Sequence, residues 1–95
     1  MEQEAPETLP YDESLVAILR YLLANPTAKD SIQGITNWWL PQISGRLGKR
    51  KIKASLDLLV SKGWLIGRSS LQSEIIYWLN ESKVMEIEKF LDEGQ

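Results

Sequence analysis

The chain has 95 residues, enough for one small domain, and its 43% apolar and 25% charged content is ordinary for a globular protein. It contains no cysteine and no histidine, which excludes a disulfide frame and a thiolate zinc site and removes the commonest general base and metal ligand. No apolar run approaches the ~18 residues of a membrane span, and the acidic N-terminus is unlike a signal peptide, so a cytoplasmic protein without membrane contact is expected.

The net charge of −2 hides a segregation along the chain. From Arg46 to Arg68 there are seven basic residues and one acid, Asp57, a local +6. Residues 1 to 13 carry five acids and no base, and residues 74 to 95 carry six acids against two lysines. A weakly acidic whole can therefore present one positive face.

Residues 1–11 (MEQEAPETLPY) are acidic, contain two prolines and read as a disordered tail. The alternative is an acidic arm that competes for the basic face. Residues 12–92 read as the folded domain. A first helix is expected from Asp12 or Glu13 to Ala24, with Asp12 or Ser14 as N-cap and a stripe of Leu15, Val16, Ile18, Leu19, Leu22 and Leu23. Asn25-Pro26 ends it. A second helix follows, opened by a capping box of Asp30 and Gln33. Ile32, Ile35 and one or both of Trp38 and Trp39 face inward, and Leu40-Pro41 closes it. Pro41 to Gly48 is expected as a link, with Ile43 and Leu47 tucked into the core.

The third helix is expected over Lys49 to Lys62. With ~100° per residue, Ile52, Leu56, Leu59 and Val60 share one face. The opposite face carries Arg50, Lys51, Ala54, Asp57 and Ser61, with Lys53 at its margin. Lys49, Arg50, Lys51 and Lys53 crowd the N-terminal end, where each cation opposes the helix dipole by roughly a few tenths of a kcal/mol. Helix stability does not explain them; an anionic partner does. Gly63 supplies a left-handed C-cap. Two strands follow, Trp64 to Ser69 and Glu74 to Leu79, joined by an uncharged tip. Asn80 caps a fourth helix, Glu81 to about Asp92, with Val84, Ile87, Phe90 and Leu91 on one side.

The order helix, helix, helix, strand, strand, helix makes this an α+β chain. The run from Ile52 to Asn80 carries a family resemblance: Ile52, Leu56 and Leu59, then Lys62-Gly63-Trp64-Leu65, then Tyr77-Trp78-Leu79-Asn80. It resembles a winged-helix domain, with a three-helix core, a two-stranded hairpin wing and a C-terminal helix. Small bacterial and archaeal regulators of the MarR, PadR and ArsR kind are similar here.

The resemblance implies binding of double-stranded DNA, with the third helix in the major groove and a role in transcription regulation. Carried onto this chain, it makes Arg50, Lys51, Lys53 and Ala54 groove-facing, puts Arg46 and Lys49 near a phosphate, and puts Arg68 at the base of the wing. Asp57 is expected to pair with Lys53 or to accept from a cytosine amino group. A homodimer fits the two-fold symmetry of palindromic sites. The competing expectation is a protein-binding module that uses exposed apolar residues, with Trp78, Leu71 and Phe90 as its interface. A third is single-strand binding, with tryptophan beside the cations. The paired acids, Asp12-Glu13 and Asp92-Glu93, lie at helix ends without a nucleophile or phosphate loop, so no enzyme, cofactor or metal is expected.

Overall fold

The computed structural model describes residues 11–94, with side chains throughout except at 42–44. The acidic segment 1–10 lies outside the described residues. Over the described residues the protein is α+β, with four helices and one three-stranded antiparallel sheet.

Helix α1 spans Glu13–Ala24. Asp12 caps it, Oδ1 accepting from the Leu15 amide at 3.0 Å. The helix ends where Asn25, ahead of proline, leaves helical angles and donates from its own amide and its side chain back to the Tyr21 carbonyl. Leu15, Ile18, Leu19 and Leu22 are completely buried. Tyr11, assigned by sequence to the tail, packs its ring against Phe90 with centroids 5.4 Å apart.

A two-residue strand not foreseen in the sequence comes next, β1, Lys29–Asp30. It pairs with the later strand at Trp78 and Tyr77. This corrects the expected cap. Asp30 is drawn into the sheet ladder, so the chain stays extended one residue longer and Ser31 becomes the N-cap, its Oγ accepting from the Gly34 amide at 3.3 Å. Gln33 takes no part in a capping box and is exposed.

Helix α2, Ile32–Gly34, runs into a π-helical turn, Ile35–Trp39, closed by the Leu40 amide on the Ile35 carbonyl at 3.1 Å. The adjacent tryptophans have different surroundings. Trp39 is buried and stacks on Tyr21 at 4.8 Å, while Trp38 is 75% exposed.

Helix α3 spans Pro41–Lys62 and corrects a second expectation. Pro41 does not begin an irregular link; it sits in the first turn of a helix, where its missing N–H removes no bond and its fixed φ suits the helix. The link is thus helical, interrupted at Gly48, whose φ of 85° and ψ of 158° break α3 into two segments. Leu47 is half-buried beside the break. At the far end Gly63, φ 88°, turns the chain left-handedly, with its amide on Val60 and the Trp64 amide on Leu59, both at 3.0 Å.

Strands β2, Leu65–Ser69, and β3, Ile75–Leu79, form the hairpin in the register Leu65↔Leu79 to Ser69↔Ile75. The sheet order is β1-β3-β2, so β3 is central and the expected two-stranded wing gains a third strand. Tyr77 and Leu79 point into the core; Ile75, on the same face, is 43% exposed because the hairpin outreaches the core. Leu71 stands fully exposed at the tip. Asn80 donates to the Gly63 carbonyl at 2.7 Å and accepts from the Ser82 amide, tying the hairpin to the end of α3. A single 3₁₀ turn, Glu81–Lys83, leads into helix α4, Val84–Glu93, which buries Ile87 and Leu91. Phe90 meets Trp64 edge-on at 5.4 Å.

Candidate functional site

The second segment of α3, after Gly48, is anchored by Ile52, Leu56 and Leu59, all completely buried. Burial of aliphatic side chains of this size contributes roughly 1.5–3 kcal/mol each, which fixes the rotation of the helix. A further anchor is polar. Ser55, on the flank of the apolar face, is buried and shares a short hydrogen bond with Ser14 of α1. The sequence offered one faint sign of it, a small hydroxyl residue beside the core stripe of each helix.

Rotation fixed this way exposes Lys49, Arg50, Lys51, Lys53, Ala54 and Asp57. The cations do not form one cluster; they divide around the helix. Lys49 and Lys53, one turn apart, face a groove of ≈ 280 Å³ shared with Ser31, Ile32 and Gln33 of the α2 start and with Glu74, Ile75 and Tyr77 of the hairpin. Burial pushes the Tyr77 phenol above its ordinary pKa. Arg50 and Ala54 lie farther round, away from the core. Arg46 and Lys51 lie toward the start of α1.

Three of these cations have carboxylate partners. Arg46 reaches Glu13 with both terminal nitrogens, at 2.6 and 2.8 Å. Lys51 Nζ is 3.3 Å from Asp12 Oδ2. Lys53 holds both oxygens of Asp57, at 2.9 and 3.0 Å, the i,i+4 pairing expected. Those contacts raise the pKa of Arg46 and Lys53, chiefly through the hydrogen bonds to Glu13 and Asp57 respectively. Among the described residues Lys49, Arg50 and Arg68 form no ion pair. Arg68 sits on β2 opposite Ile76, exposed, and does not line the Lys49–Lys53 groove.

The residues proposed for a protein interface lie apart. Trp78 is half-buried, with Lys29 Nζ 4.8 Å from its ring centroid, and lines a groove that holds neither Leu71 nor Phe90. Phe90 is half-buried between Trp64 and Tyr11. A different apolar surface is more open: Trp38, beside the Tyr21–Trp39 stack, lines a groove of ≈ 540 Å³ with Ala17, Arg20 and Pro41. The sequence signal for it was the Trp38-Trp39 pair, since two neighbours on a helix cannot both face inward.

Among the described residues no group of three or more His, Cys, Asp or Glu side chains could hold a metal ion, and no helix is long and apolar enough to cross a membrane. No family model matches the chain, and no curated protein or solved structure matches it either.

Proposed function

We propose that the protein is a winged-helix domain that binds double-stranded DNA, acting in the cytoplasm as a small transcription regulator. One observation carries the reading: the cationic first turns of the second α3 segment are solvent-exposed and backed by a completely buried aliphatic ridge. The element order and the β1-β3-β2 sheet support the winged-helix assignment. In this reading Arg50 and Ala54 meet base edges. Lys49 and Lys53 meet phosphates, with Lys51 and Arg46 behind them and Arg68 on a phosphate at the hairpin base.

Titration of a labelled duplex by fluorescence anisotropy at two salt concentrations tests it. Arg50→Glu with Lys53→Glu abolishes measurable binding, because two favourable charges become two repulsive ones beside the backbone. If the doubly reversed variant binds as wild type does, the assignment fails.

The second reading, a protein-binding winged helix, is favoured by the 75% exposure of Trp38 beside a groove of aromatic and proline side chains. Under it the chain binds no duplex even at low salt.

A further inference from the structure

Asp57 holds Lys53 from one turn along the same helix, a contact any helix with that spacing can make. The pairs made by Asp12 and Glu13 are different. They bring the start of α1 against α3, in the case of Arg46 and Glu13 across 33 residues of chain. Asp12 has a structural task as the α1 N-cap. The described hydrogen bonds of the Glu13 carboxylate all come from Arg46. Both side chains of that pair are roughly half exposed, so solvent screens part of its contribution to stability. Glu13 also lies in the first turn of α1, where its charge suits the helix dipole, but that role does not require Arg46.

A two-pronged contact between arginine and carboxylate has the geometry of an arginine–phosphate contact. Glu13 occupies the place on Arg46 that two phosphate oxygens would take. We propose that the start of α1 is an internal phosphate mimic: Glu13, seconded by Asp12, holds Arg46 and Lys51 off the nucleic-acid backbone and keeps sequence-independent binding weak. The inference rests on the DNA-binding reading above and assigns the control of that same surface. Backbone affinity comes from cations that release counterions from the phosphates. Arg46 and Lys51 must surrender one anion to take another, so they gain little. Lys49, Arg50 and Arg68, with no such partner among the described residues, gain in full. Contacts that read bases then make up a larger share of the total affinity.

Glu13→Gln removes the charge at nearly constant size. Titrated with a random-sequence duplex at low salt, it binds about threefold more tightly than wild type, and log K falls with log salt more steeply by about 0.9, the increment of one added phosphate contact. In an Arg46→Ala background the same substitution changes nothing, because the acid acts through that one side chain. Asp12→Asn keeps a capping residue and frees Lys51, so it gives a gain of the same sign and carries the test if Glu13→Gln does not fold. Unchanged or weaker binding by both variants, with wild type still binding, overturns the inference and leaves the DNA reading standing. A gain that persists without Arg46 overturns it too, since general repulsion would then be the cause. If neither wild type nor variants bind duplex at low salt, both readings fall.

Discussion

Glu13 and Glu86 are both held ionised to lower pH than a free glutamate, by different donors. For Glu13 the largest cause is the hydrogen bond from Arg46. For Glu86 it is the Trp64 indole N–H, 3.1 Å from Oε1, followed by the charge of Lys83. A carboxyl whose folded pKa is depressed stabilises the fold at pH above its unfolded value, near 4.5, and loses that contribution as pH falls through the lower folded value. Carboxyl-carbon NMR should therefore find both glutamates titrating below 4.5. In Arg46→Ala, Glu13 returns to the ordinary value and Glu86 does not move. A Glu13 midpoint indifferent to that substitution would remove the ion pair from solution. The Ser14–Ser55 contact belongs to this scale as well. It lets α1 and α3 approach through hydroxyls where two more aliphatic side chains would hold them apart, and a reading of polar against apolar positions passes over it.

Among the elements, α3 decides how the cations are displayed. Its two segments meet at Gly48, whose φ and ψ lie in a region that side chains rarely enter. Gly48→Ala is expected to destabilise the fold by about 1–3 kcal/mol, measured by urea unfolding. The opposing term, better helix propensity for alanine, is at most about 1 kcal/mol and applies only if the kink straightens. Straightening would swing Arg46 away from Glu13, so the variant also changes the Glu13 titration. Stability equal to wild type would mean the break is not held by the surrounding packing. The hairpin is placed by another junction, Asn80 on the Gly63 carbonyl, which joins the left-handed end of α3 to the end of β3.

At the scale of the molecule, net charge is a poor guide to the surface, because acids and bases are separated along the chain and then partly brought together by folding. Of the six basic residues assigned to the interface (Arg46, Lys49, Arg50, Lys51, Lys53, Arg68), three have carboxylate partners. With Lys49, Lys53 and Arg68 on phosphates, Arg50 on base edges and Arg46 and Lys51 held by Glu13 and Asp12, the plot of log K against log salt for duplex binding should have a slope of about −2.7. A slope near −5.4 would mean that all six reach phosphates and that the internal pairs give way on binding. The exposed Trp38 surface lies on another part of the protein, and a light-scattering mass of 10.9 kDa at working concentration would show that it does not self-associate there.

Much of the fold was legible because its signals are local. The 3.6-residue period of Ile52, Leu56 and Leu59, proline after Asn25, glycine after Lys62 and the strand composition of Ile75 to Leu79 each act within about a turn of chain. Those signals determined α1, the second segment of α3, the hairpin, the C-terminal helix and which side of α3 is wet. The rest depended on residues distant in sequence. A two-residue strand exists only because β3 lies beside it, and its pairing is what moved the α2 cap from Asp30 to Ser31. Pro41 reads as a stop, yet it stands in the first turn of α3, where its missing N–H removes no bond. Whether a lysine or arginine is free or neutralised is likewise set by how α1 packs on α3, since charges find partners through space and the alphabet along the chain records only their supply.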